Sequence, residues 1–298
     1  MKNREIVRVV TSHQQREGGG FVVRRPLPSG AYDDADPFLL LDEMGPIEYA
    51  PGEALGAPDH PHRGFETVTY VLEGEAEHAD SAGHRGKIGP GAVQWMTAGR
   101  GIVHAEMPSR TMREQGGRMH GFQLWVNLPA RDKMIAPRYQ EIPREKIPSR
   151  TTPDGLATVH VIAGEALGAS AVIETRTPIT YHHWSLQPGA AVDVAIPPEH
   201  SAFVYVFEGE LSVSGRPLRS GQLGVLGEGE GVALAATGRA QALVLSGAPL
   251  REPVARSGPF VMNTEREIQQ AILDYRAGKL GGIERSVTSH DNPQGERR

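Results

Sequence analysis

Two short motifs carry residues whose types and spacing suit metal chemistry: His60-Pro61-His62 and His104-Ala105-Glu106. Each pair of ligand-type residues is spaced i, i+2, which in a β-strand puts both side chains on one face. Two such strands side by side would aim three imidazoles and one carboxylate at a single point. Imidazole nitrogen and carboxylate oxygen together suit a divalent transition metal: Fe, Mn, Ni, Cu or Zn. Pro61 donates no ladder hydrogen bond, so it belongs at a strand edge, start or bulge, as at a barrel mouth. Glu66 complicates the carboxylate. It lies four residues past His62, and an unbroken strand would put it on the same face. Gly64 could break the strand and turn Glu66 away. Spacing leaves the choice between Glu66 and Glu106 open.

The elements that must position these residues read as strands. Segments 21–23, 67–72, 92–96 and 121–126 are rich in β-branched and aromatic residues and are punctuated by Gly, Pro, Asp or Asn. That pattern belongs to an all-β sandwich or barrel. The 36 glycines and 23 prolines are spread along the chain and read as turns between short strands, not as disorder. The second half repeats the first: Tyr70-Val71-Leu72-Glu73-Gly74-Glu75 is similar to Tyr205-Val206-Phe207-Glu208-Gly209-Glu210, offset by 135 residues. The turns Gly89-Pro90-Gly91 and Ser220-Gly221-Gln222 follow in the same order. Two tandem β-domains result, joined in the polar, proline-containing stretch 130–153. One helix closes the fold. Thr264 and Glu267 form a capping box, Ile268, Ala271, Ile272 and Tyr275 recur at helical spacing, and Gly278 stands at the stop. Its apolar stripe is expected to pack against a sheet. The polar tail 287–298 is expected to fray.

Composition excludes several classes. No cysteine is present, which rules out disulfides, iron–sulfur clusters and thiolate metal sites. A net charge of −5 with no dense Lys/Arg block argues against direct nucleic-acid binding. The first apolar run, Ile6-Val7-Arg8-Val9-Val10, is too short for a signal segment, and no run reaches the ~20 apolar residues that span a bilayer. A cytoplasmic monomer with no membrane association is expected.

The neighbours of the two motifs extend the reading. The run from His60 to Tyr70, His-Pro-His-Arg-Gly-Phe-Glu-Thr-Val-Thr-Tyr, resembles the first metal-binding motif of the pirin family. Gln94-Trp95-Met96-Thr97-Ala98-Gly99-Arg100-Gly101-Ile102-Val103-His104-Ala105-Glu106-Met107-Pro108 resembles the second. Phe38-Leu39-Leu40-Leu41-Asp42-Glu43, Gln123-Leu124-Trp125-Val126-Asn127-Leu128-Pro129 and Gly258-Pro259-Phe260-Val261-Met262-Asn263-Thr264 are similar to further family segments, so the resemblance covers nearly the whole chain. It implies an all-β bicupin: a metal-binding N-terminal cupin at 1–134, and a metal-free C-terminal cupin at 135–298 with a closing helix near 264–278. It implies one metal, Fe(II) in the family, held by His60, His62, His104 and Glu106, with Glu66 left to a supporting or structural role. Four protein ligands leave two octahedral positions open.

The repeat supplies an internal control. At the offset of 135, His60, His62, His104 and Glu106 correspond to Ala195, Pro197, Arg239 and Gln241, so no ligand survives. The adjacent pair His182-His183 would face opposite ways in a strand, and His200 stands alone. His78 and His84 flank a polar turn and are expected to face solvent. His120 is a candidate for lining the first barrel. Trp95 and Trp125 read as core fillers.

Two functions fit the resemblance. One is a quercetin 2,3-dioxygenase-type oxidoreductase, taking a flavonol and O2, in which Glu106 is the catalytic base that accepts the 3-hydroxyl proton. The alternative is a non-enzymatic, iron-dependent redox-sensing regulator that binds a transcription factor or a metabolic enzyme. A cupin isomerase or storage protein fits the second motif least well.

Overall fold

The computed structural model describes residues 1–30 and 32–284; the tail expected to fray lies outside them. The described chain forms two β-barrels, each built from a seven-stranded and a four-stranded antiparallel sheet. The first barrel's large sheet runs, in spatial order, Arg138–Ile142, Val93–Thr97, Phe65–Glu73, Gly117–Asn127, Phe38–Tyr49, Phe21–Leu27 and His13–Glu17. Its small sheet runs Ala57–His62, Ile102–Pro108, Ala76–Asp80 and Arg85–Ile88. The second barrel repeats the plan, with Ser201–Glu208 in the place of Phe65–Glu73 and the pair Ala191–Ala195 and Gly231–Ala235 in the place of Ala57–His62 and Ile102–Pro108.

Two edge strands cross the 134/135 boundary. Ile6–Thr11 pairs with Gln222–Leu226 of the second barrel, and Arg138–Ile142 pairs with Val93–Thr97 of the first. Each covers a sheet edge that would otherwise expose unpaired backbone groups.

Side-chain alternation builds the layers. On the strand Phe65–Glu73, Val68 and Tyr70 join Trp95, Phe122 and Leu124 of the first barrel and Tyr181, Phe203, Tyr205 and Leu243 of the second in one shared core. The two large sheets therefore pack face to face, as sandwich layers do. A separate apolar core, including Val161, Trp184, Leu186, Val204, Val206 and Val232, fills the second barrel. In the first barrel the opposite parity of the strands brings Thr69, Gln94, His104 and Gln123 inward, beside apolar residues such as Phe65, Met96 and Ile102.

The helix Glu265–Arg276 starts at the expected capping box, with Thr264 N donating to Glu267 Oε2 at 2.8 Å and Glu267 N to Thr264 Oγ1 at 3.3 Å. Gly278 follows it with φ +71°, a left-handed conformation that glycine adopts without steric cost. Ile268 and Ala271 pack against Phe260 and Met262 and against Val103 of the strand that carries His104. The stripe departs from expectation at one end. Tyr275 is exposed, and Asp274 takes the buried position because Arg63 reaches it at 2.9 Å. Among the described residues, no helix is long and apolar enough to cross a membrane.

Candidate metal centre

The strands Ala57–His62 and Ile102–Pro108 lie antiparallel with His60 opposite His104 and His62 opposite Ile102. Directly opposed residues project from the same face, so all three imidazoles enter the first barrel. Their ring centroids are 4.3 to 4.9 Å apart, and one ligand nitrogen from each lies within 4.8 Å of the others. His62 and His104 are only 3% and 1% exposed. His60 Nδ1 lies 2.7 Å from the carbonyl oxygen of Pro58. A carbonyl only accepts, so Nδ1 carries the proton and Nε2 keeps its lone pair for a ligand.

The remaining nitrogens argue for an ion. His62 Nδ1 and both ring nitrogens of His104 are buried without a hydrogen-bond partner. Such orphaned groups cost about 1–3 kcal/mol each. Burial, followed by the neighbouring imidazoles, pushes both histidines well below the usual histidine pKa. They are therefore neutral at pH 7, which is the form that ligates. Three converging imidazoles, two of them held neutral by burial and carrying unsatisfied nitrogens, fit a divalent transition metal.

Glu106 shares the strand and the face of His104. The ladder slips between them because the partner strand carries an extra residue between Ala57 and His60, while the pairing with Ala76–Asp80 runs in register from His104 to Glu106. Thr69 Oγ1 donates to Glu106 Oε1 at 2.7 Å, and Gln123 Nε2 donates to Oε2 at 3.3 Å. Glu106 lines the same cavity as His60 and His62, but its oxygens are not among the atoms that gather within 4.8 Å. Glu66 is turned away. Gly64, at φ +89°, breaks the strand, and from there Phe65 touches His62 while Glu66 takes the opposite parity. Glu66 sits opposite Thr97 and accepts its hydroxyl at 2.6 Å. Burial raises its pKa.

The cavity in front of the imidazoles measures about 510 Å³. Phe21, Leu40, Met44 and Trp125 give it apolar walls. Trp125, expected as a core filler, packs edge-on to His62 at 5.2 Å and carries the Arg256 guanidinium over its ring at 5.0 Å. Trp95 is fully buried, as a core residue should be. Arg25 is clamped to Asp42 by two bonds of 2.6 and 2.5 Å at the cavity wall.

Several other histidines also find places. His84 is exposed as expected, but His78 is buried. The parity of Ala76–Asp80 puts His78 inside the first barrel, opposite Glu106. His120 does not face the metal cavity; its Nε2 meets Glu43 Oε1 at 2.9 Å and its ring meets Phe207 of the second barrel. His182 enters the second barrel beside Trp184, and His183 faces the first barrel, 2.8 Å from the Tyr70 hydroxyl.

The constant offset of 135 holds between Phe65–Glu73 and Ser201–Glu208 but drifts elsewhere. The inward pairs of the second small sheet are Val192 with Leu234 and Val194 with Val232. They stand where His60 with His104 and His62 with Ile102 stand in the first, and Ala236 takes the place of Glu106. The correspondence with Ala195, Pro197, Arg239 and Gln241 is thus corrected, because the intervening turns differ in length; the true counterparts are apolar.

Sequence reasoning missed Thr69 and Gln123, which hold Glu106. Their signal was a polar residue recurring within apolar strands at the parity of the cavity face.

A fold of two tandem cupin barrels with a histidine cluster in the first defines the bicupin class. The Pirin family model matches residues 20–126, and the Pirin C-terminal cupin domain model matches residues 181–281. The chain belongs to the pirin family of the cupin superfamily. Pirin from Homo sapiens is 45% identical over 293 residues, covering 96% of this chain and 97% of that protein. The crystal structure of quercetin 2,3-dioxygenase from Acinetobacter baumannii matches with a TM-score of 0.90 at 38% identity, covering 95% of this chain and 100% of that one. A bacterial pirin from Escherichia coli in complex with nickel(II), 20% identical, shares the fold with a TM-score of 0.63 over 81% of this chain and 99% of its own.

Proposed function

We propose that this protein is a mononuclear metal-dependent dioxygenase that opens the ring of a flavonol such as quercetin with O2. The observation that carries the reading is the histidine triad with its orphaned buried nitrogens, whose members His60 and His62 line a cavity walled by Trp125, Phe21 and Met44. A cavity of about 510 Å³ falls in the size range of small-molecule sites. The similarity to the Acinetobacter baumannii quercetin 2,3-dioxygenase supports the same activity.

Iron(II) held by His60, His62, His104 and Glu106 would supply Lewis acidity and one-electron chemistry. The nickel(II) found in the Escherichia coli relative is a second candidate for the native ion. The chain's own residues do the rest. The apolar walls hold the flat rings and keep water from the reacting carbon atoms. Glu106 accepts the 3-hydroxyl proton at a carboxylate oxygen, as general base. Thr69 and Gln123 fix the angle of that carboxylate. In the second barrel, Val192, Val194, Leu234 and Ala236 offer no ligand atom, so one metal per chain is proposed.

The test is anaerobic addition of quercetin to iron-loaded protein, followed by O2. Loss of the flavonol spectrum with matching oxygen uptake is expected. Glu106→Gln should abolish turnover while the far-ultraviolet circular dichroism stays unchanged. No oxygen uptake by fully loaded protein rejects the dioxygenase reading.

A further inference from the structure

A second cavity, of about 310 Å³, opens at the seam between the barrels, on the shared face of the large sheets and away from the imidazole triad. Its floor is a chain of hydrogen bonds whose direction is fixed. Gln241 Nε2 donates to Glu208 Oε2, which leaves Gln241 Oε1 to accept. His183 Nε2 lies 2.9 Å from that oxygen, so Nε2 carries the proton and Nδ1 is the acceptor. The Tyr70 hydroxyl, 2.8 Å from His183 Nδ1, must therefore donate to it. Tyr70 and His183 are 3% and 5% exposed. The phenol oxygen of Tyr70 keeps its lone pairs, so it can accept a bond from a ligand hydroxyl.

The charges at the mouth are unequal in their commitments. Glu73 is paired with Arg118, and Glu208 with Arg239. Arg144, on the connection between the barrels, lines the cavity and makes no ion pair among the described residues. Tyr70 and His160 line the same cavity as Arg144. Leu72 and Phe207 supply apolar walls. The cavity is also smaller than the one at the triad, and sits at the low end of the range for small-molecule sites, which suits one ring rather than three.

We propose that this seam cavity binds a single-ring aromatic acid bearing a ring hydroxyl. The carboxylate pairs with Arg144, the ring lies between Leu72 and Phe207, and the hydroxyl donates to the Tyr70 oxygen. Because residues of both barrels and of the connection line the cavity, an occupant would fasten the two barrels together. The inference is independent of the dioxygenase reading.

The probe is 4-hydroxybenzoate, titrated calorimetrically into the full-length, metal-loaded protein. A ligand of this size should bind in roughly the millimolar range or tighter. Arg144→Gln, at an exposed position, should weaken binding at least tenfold. Tyr70→Phe should erase the preference for 4-hydroxybenzoate over benzoate, with an unchanged melting temperature as the control for folding. His62→Ala should leave the affinity as it is, since the triad lies elsewhere. Failure of the wild-type protein to bind overturns the proposal. So does undiminished binding by Arg144→Gln, and so does loss of binding in His62→Ala, which would move the ligand to the metal cavity.

Discussion

At the residue scale, His104 sets the balance between stability and metal capture. It is 1% exposed and neither ring nitrogen has a protein partner. Such a group destabilises the metal-free fold and gains most from an ion. His104→Leu should therefore stabilise the metal-free protein by about 1–2 kcal/mol. It should also cancel the rise in melting temperature that Fe(II) or Ni(II) gives the wild type, since that rise depends on affinity for the folded state. A metal-free variant less stable than the wild type would show that the imidazole is satisfied in some other way. Thr69 acts one bond further out. Thr69→Val keeps the shape and removes the hydroxyl that lies 2.7 Å from Glu106 Oε1. Outer partners of metal ligands typically affect affinity about 10–100-fold. Competition against a chromophoric chelator should show a loss of that size, and an unaltered affinity would separate Glu106 from the ion.

At the element scale, the closing helix is tied to the strand that carries His60 and His62. Arg63 directly follows His62. It donates from Nε to the Arg100 carbonyl at 2.6 Å and from NH1 to Asp274 Oδ2 at 2.9 Å. Lys133 reinforces the joint, donating to the Gly64 and Val261 carbonyls at 2.8 and 3.1 Å. Both charged side chains of the Arg63–Asp274 pair are largely buried, and breaking a buried pair from one side typically costs about 3 kcal/mol. Asp274→Asn should lower stability to denaturant by about that amount and loosen metal binding through the shifted strand. A variant with wild-type denaturation and chelator competition would mean that the helix merely covers the barrel. The helix itself was legible in Thr264 and Glu267, since a capping box is a local signal. The buried place of Asp274 was not, because its nearby partners Gln270 and Lys279 leave it at the surface and its buried partner, Arg63, lies 211 positions away. His78 was misread for the opposite reason. The nearby Asp80, Ser81 and Gly83 advertise a turn, yet strand parity governs the residue before it.

At the scale of the whole molecule, the repeat was legible as two barrels, and the His60, His62 and His104 cluster as one site. The strand exchange was not, because an edge run such as Ile6–Thr11 carries no mark of which sheet it will join. Nor does sequence show that one barrel's interior carries a cluster of polar side chains while the other's is almost wholly apolar. His182 is the exception in the apolar barrel: fully buried, with both nitrogens unpartnered. Burial lowers its pKa from 6.5 to about 4, and burial does the same to His183 on the opposite face. Below pH 6.5 the unfolded chain takes up protons at these residues, while the folded chain takes them up only near pH 4. Stability thus rises with pH across that window and is lost as pH falls from about 6.5 to about 4. Each histidine should account for about 2 kcal/mol by pH 5. Leucine fits the apolar surroundings of His182 and does not titrate. His182→Leu should therefore gain about 1–2 kcal/mol at pH 7.5 and retain more of that stability at pH 5 than the wild type does. Urea denaturation at the two pH values measures both effects. If the variant is weaker at pH 7.5 and just as acid-sensitive, the imidazole has partners inside the second barrel.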